Sequence, residues 1–249
     1  FSVQENNWLG KGVTLAASAD VSEESLRGSL SFTDPDYNFT GNELSYYLKN
    51  IKNDKKDSGY ENRVFGAGIG LSYEKFKDIY FSPGIGLTFD DLTTDSTASE
   101  LLKKQSGSTT DLMFDYALST DKRDRRFMPT SGYLTSFFQE LPLYADQPHI
   151  KNVFSTNHYK EFSEDFIGAL KFSASAVNGL NDEDVRVSQR LELSSKKLRG
   201  FEQGKIGPKD GDDFIGGNYS TSLNLEANFP NFFPEKSNAE IGLFLDAGN

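Results

Sequence analysis

Histidine, nucleophilic serine, clustered carboxylate and phosphate-cradling glycine are where chemistry would show first. His149 and His158 have no cysteine to join them, because the 249-residue chain contains none, and they lack metal-ligand spacing. No serine stands in a G-x-S-x-G elbow. Acidic groups cluster at Asp90-Asp91, Asn181-Asp182-Glu183-Asp184 and Asp210-Gly211-Asp212-Asp213, without the periodic oxygens of an EF-hand, so they read as solvated loop charge. The run Gly66-Ala67-Gly68-Ile69-Gly70 suggests a phosphate loop only if a helix begins after it. Alternation continues instead, which makes these glycines small residues on one face of a strand. Lys103-Lys104 and Lys196-Lys197 are candidate contacts for anionic lipid head groups. The expectation is no catalytic, cofactor-binding or metal site, and an enzyme acting on lipid or peptide is the minor alternative.

Positioning falls to long strands. Phe65, Ala67, Ile69, Leu71 and Tyr73 share one side of their segment, with Gly66, Gly68, Gly70 and Ser72 on the other. The same period of two runs through 81–89, 111–119 and 219–229, which places each set on one face of a sheet. Strands are expected near 1–8, 12–20, 25–33, 42–52, 61–73, 79–89, 109–120, 133–141, 150–161, 167–177, 218–229 and 239–249. Segment 150–161 has no cleanly apolar face. Several of these strands approach the roughly 9–11 residues that cross a bilayer at a tilt, and exceed the usual 5–6 of soluble sheets. Alternate connections are short or rich in turn residues, while the others include 90–108 and 178–217. Short periplasmic turns and longer outer loops would give that asymmetry. Segment 185–193 also alternates, but a crossing there would swap the side of every later turn. It is therefore assigned to one non-spanning outer loop, 178–217.

Composition agrees with a membrane barrel. Mean hydropathy is −0.54 and no apolar run nears the roughly 18 residues of a membrane helix, yet a barrel shows lipid only every second side chain. The chain carries 21 Phe and 11 Tyr, which suits aromatic girdles. A net charge of −11 argues against a nucleic-acid partner, since phosphate binding needs a basic face. Phe1 and Asn249 both read as lying inside strands, which implies a fragment of a longer barrel.

Several motifs resemble the BamA family of outer-membrane protein assembly factors. Leu198-Arg199-Gly200-Phe201 is similar to its (V/L)RGF motif, followed in order by Gly207-Pro208-Lys209-Asp210 and Gly216-Gly217-Asn218. Asn7-Trp8-Leu9-Gly10-Lys11-Gly12 resembles an early turn, and Ser31-Phe32-Thr33-Asp34-Pro35 the next strand end. Asp121-Lys122-Arg123-Asp124, with Phe127, Pro129-Thr130 and Gly132, resembles its D-x-R-D…P-T-x-G turn, and Phe244–Asn249 its F-x-D-A-G-N strand. Ser194-Ser195 departs from a Gly-Gly often found before RGF. The matches run the length of the chain and favour this family over the related TamA-like and two-partner secretion transporters. A passive porin is a further alternative.

The resemblance implies an all-β, antiparallel, transmembrane barrel of the outer-membrane type. The family has sixteen strands, of which about twelve would lie here, with N-terminal POTRA domains outside this chain. It implies insertion of unfolded client barrels into the bacterial outer membrane, assembly-complex lipoproteins bound through the periplasmic domains, and contact with outer-membrane lipid and lipopolysaccharide. It also implies that the 178–217 loop dips into the lumen and that Arg199 pairs there with Glu226 and Asp246. The alternation independently puts both carboxylates on the polar face of neighbouring strands. Arginine's planar fork suits carboxylates better than a lysine does. The pairing would be structural, and loss of Arg199 is expected to leave the loop untethered.

Overall fold

The computed structural model describes residues 1–249 except 24, 56–58, 203, 212 and 234–239. Asp212 of the third acidic cluster, most of the turn after 229, and the expected start of the last strand at 239 lie outside the described residues. One antiparallel sheet contains β1 (Ser2–Glu5), β2 (Thr14–Val21), β3 (Ser25–Tyr37), β4 (Asn42–Lys55), β5 (Tyr60–Phe76) and β6 (Ile79–Thr94), then β7 (Gly107–Asp121), β8 (Gly132–Ala145), β9 (His149–Ser163) and β10 (Phe166–Gly179). Between β10 and the last two strands lies a separate ribbon of two residues a side, β11 (Lys209–Asp210) with β12 (Asp213–Phe214). The main sheet then resumes with β13 (Tyr219–Phe229) and β14 (Ile241–Gly248), each strand beside its neighbour in sequence order. Among the described residues no ladder joins β1 to β14.

The strand faces follow the alternation, but the strand ends do not. β5 has 17 residues and β6 has 16, so the ladder continues past what a tilted crossing requires. β1 is shorter than expected because the chain turns at Trp8–Gly10, where the Asn7 amide oxygen accepts the Gly12 N–H at 2.8 Å. β9 is a full strand whose signal is blurred because both faces mix apolar with polar side chains: Val153 shares its side with Ser155 and Asn157, and Phe154 shares the other with Asn152 and Thr156.

The outward face bares apolar side chains in cross-strand rows. Leu30, Leu48, Ala67, Leu87 and Leu112 form one row across β3 to β7. Phe32, Tyr46, Ile69, Ile85 and Phe114 form the next. Leu48, Ile69 and Ile85 are each more than 40% exposed, a cost in water and a requirement in lipid. The inward face is polar and crowded. Tyr47 lies across Gly68 and Gly86, where an added Cβ would stand 2.5 and 2.8 Å from its ring and hydroxyl. The glycine run thus makes room for a long side chain lying flat on the inner wall.

The described residues of 180–218 add no strand to the main sheet. They pack on its polar face and bury Val185, Leu193 and Leu198 there. Val185 of this segment and Leu102 of α1 (Glu100–Lys104), in the β6–β7 connection, are both almost fully buried. The segment 185–193 is a single 3-10 turn at Val187–Gln189 and a lone bridge from Leu191 to Gly217.

Candidate functional site

Asn224, Glu226 and Asp246 all face inward, because Leu223, Leu225 and Leu245 take the outward positions between them. Asn224 stands directly opposite Asp246 in the β13–β14 ladder, and Glu226 opposite Phe244. Arg199 descends onto this patch from the loop. Its Nε and Nη2 donate to the two Asp246 carboxylate oxygens at 2.7 and 2.6 Å, a bidentate pair. Its backbone N–H donates to Asp246 at 3.0 Å, and its Nη1 lies 3.1 Å from Glu226 Oε1. The guanidinium plane also rests 3.8 Å from the centre of the Phe244 ring. The structure therefore brings Arg199, Glu226 and Asp246 together.

Three neighbours complete the arrangement: Asn224 and Lys171, which no motif marks, and Lys197, expected instead at lipid head groups. Asn224 Nδ2 donates at 2.7 Å to Asp246 and also to the Lys197 carbonyl. Lys171 of β10 donates to Glu226 at 2.6 Å. Lys197 donates to Ser173 at 2.8 Å, and burial pushes its ammonium below the ordinary lysine range. That position removes Lys197 from the expected role at lipid head groups. Asn224 was legible only as one polar member of an alternating strand, and nothing in the sequence marked Lys171.

Gly200 follows Arg199 at φ +87°, a conformation that side chains with a Cβ rarely adopt, so the chain reverses at once after the clasp. Leu198 is buried against the strand end near Gly248, while Phe201 is exposed. The supporting motif builds the rest of the loop. Asp210 accepts the Leu101 N–H at 3.0 Å; that bond, with the Ser99 hydroxyl, holds its carboxyl below the usual range. Pro208 accepts from Ile215 at 3.1 Å across the turn that Gly207 and Gly216 flank. Gly217 exchanges both backbone bonds with Leu191, and the Asn218 carbonyl receives Val177 N–H at the end of β10.

Asp90 corrects an expectation. The sequence reading placed it in a solvated acidic loop beginning at residue 90. The ladder instead runs on to Thr94, so Asp90 sits inward on β6 and is 1% exposed. It takes hydrogen bonds from Asn62, Ser188 and Arg186, the last through Nε at 3.2 Å. Arg199 is consequently not the sole ionic tether of the loop. His149, for its part, lies 3.3 Å from Glu140 and is buried against the inner wall. Among the described residues no group of three or more potential metal ligands converges.

Long strands that turn leucine outward and asparagine inward define a β-barrel of the outer-membrane type. The chain belongs to the Omp85 superfamily, whose domain matches residues 7–249. It is 27% identical to outer membrane protein assembly factor BamA of Neisseria meningitidis serogroup B over 99% of this chain and 34% of that protein. The human sorting and assembly machinery component 50 homolog is 28% identical over 61% of this chain and 34% of its own length. The chain thus spans about a third of the curated relatives it matches. In fold it is similar to BamA from Haemophilus ducreyi lacking POTRA domains 1-3, with a TM-score of 0.85 at 21% identity over 99% of this chain and 53% of that one. CdiB from Acinetobacter baumannii gives a TM-score of 0.58 at 13% identity over 99% and 45%.

Proposed function

We propose that this chain is the barrel portion of an assembly factor that folds and inserts client β-barrels into the bacterial outer membrane. One observation carries the reading: Arg199 is clasped by Asp246 and Glu226, and so fastens a long loop against the polar wall. A barrel whose interior is occupied this way suits work done by its wall better than free passage through its lumen. The extent of the similarity to BamA along the chain supports the same reading.

The work needs no covalent step, and we assign none. An unfolded strand entering lipid carries unpaired backbone groups, each costing several kcal/mol there. A barrel edge that offers those groups partners by strand addition lowers the barrier. The loop clasp would keep the wall in the shape that does so. The partners on this reading are unfolded outer-membrane protein clients, outer-membrane lipid and lipopolysaccharide, and lipoproteins bound through periplasmic domains.

The test is complementation. Cells depleted of the native full-length protein and supplied with Arg199→Ala should accumulate unfolded client barrels, seen as loss of their heat-dependent gel mobility. Normal client folding would defeat the proposal. The fold shared with CdiB leaves the member of the superfamily open, and the second reading is a secretion transporter. On that reading depletion would abolish export of one secreted substrate and leave client barrels folded.

A further inference from the structure

Arg186 is 4% exposed and donates four hydrogen bonds. Besides Asp90 Oδ2, it donates to the Gln105, Gly107 and Asp90 carbonyls at 3.1, 2.5 and 3.4 Å. Gln105 answers by accepting Val187 N–H at 2.8 Å and donating to the Val185 carbonyl at 3.3 Å. Ser188 and Asn62 occupy the rest of the Asp90 carboxylate. These bonds join the early limb of the loop to the β6–β7 wall. The Arg199 bonds join its later limb to the β13–β14 wall. The two clusters share no residue. Between the early limb and the strands from β3 to β9 lies a polar cavity of about 610 Å³, bordered by Ser188, Arg190 and Glu202 of the loop.

We infer that Arg186 is a second positioning residue and that the loop is held by two separable latches. Releasing Arg199 frees only the limb around Leu198, while Arg186 keeps the limb around Val185 seated over the cavity. A buried guanidinium with a carboxylate and three carbonyls around it has no alternative partner in water-poor surroundings, so this latch holds without help from the other. The inference rests on the assembly-factor reading only for its biological consequence.

Two single-cysteine reporters read the limbs separately, Val185→Cys and Leu198→Cys, each in the full-length protein in outer-membrane preparations. Labelling by a water-soluble maleimide is followed over time. Arg199→Ala should raise labelling at position 198 by about tenfold or more and leave position 185 protected. Arg186→Met combined with Asp90→Asn should do the reverse. Neutralising both partners avoids stranding a buried charge, and retained heat-dependent mobility shows that the barrel is folded. Restoring Arg186 beside Asp90→Asn should bring back protection at position 185 through the three carbonyl bonds. Equal exposure of both reporters in Arg199→Ala would overturn the inference, as would unchanged protection of position 185 in the double variant. Labelling reads loop position whether or not clients are inserted, so its outcome is independent of the complementation result.

Discussion

Asp246 accepts from four donors: three on Arg199 and one on Asn224, two to each oxygen. A carboxylate so fully used tolerates no amide in its place, because one NH₂ would face a donor. Its side chain is 4% exposed, against 31% for Arg199, so the charge lost is a buried one while its partner keeps some water. Asp246→Asn should therefore lower stability by about 2–3 kcal/mol, below the full cost of breaking a wholly buried pair. Glu226→Gln should cost about 1 kcal/mol, because it leaves the bidentate clasp intact. Urea midpoints in phospholipid vesicles check the order, and equal losses would show that the bidentate pair is not the stronger hold. Arg199 was legible because it stands in a motif. Asn224 and Lys171 were not, because their part depends on which strands lie side by side.

The turn between β7 and β8 shows why one motif is spelled as it is. Asp124 accepts Thr130 N–H at 3.0 Å, Thr130 Oγ1 at 2.9 Å and Ser131 N–H at 3.1 Å. Gly132 leaves the turn at φ +92°, and a Cβ there would overlap the Lys122 carbonyl. Gly132→Ala should thus cost at least about 1–3 kcal/mol and speed tryptic cleavage after Arg125 or Arg126, which limited proteolysis would register. The Ser131 and Thr130 bonds hold the Asp124 carboxyl below the usual range. Its contribution is present above the unfolded value of about 3.9 and disappears as pH falls through the lower folded value. The Thr130 and Ser131 amide resonances should titrate with a midpoint below that value, and a midpoint at or above it would remove the carboxylate from the turn. Turns of this kind were legible from Asp, Pro and Gly spacing. Strand ends were not, since a ladder can continue beyond the bilayer wherever both neighbours continue with it, as β5 and β6 do.

The assembled sheet is an inside and an outside defined by adjacent residues, and that division was legible from the period of two in every strand with one apolar face, though not in β9. What lay beyond sequence was the docking of the loop. Arg186 sits in a stretch that reads as an alternating strand, and its carboxylate partner is 96 positions away in what read as a loop. Pairing at that separation leaves no local pattern. The division itself can be tested on one strand. Leu48 belongs to the outward apolar row and is 44% exposed, while Lys49 borders the interior cavity. Leu48→Arg puts a guanidinium into hydrocarbon and should cost about 2–4 kcal/mol of stability in a lipid bilayer. Lys49→Leu removes one charge from a wet wall and should stay within about 1 kcal/mol. Unfolding titrations in vesicles compare them directly. In detergent micelles, where water and head groups reach the outer surface, the first cost should shrink and the second should not change. A larger loss for Lys49→Leu than for Leu48→Arg in bilayers would mean that the two faces are assigned the wrong way round, and the loop would then be packed on the lipid side, where its ionic latches have no physical reason to form.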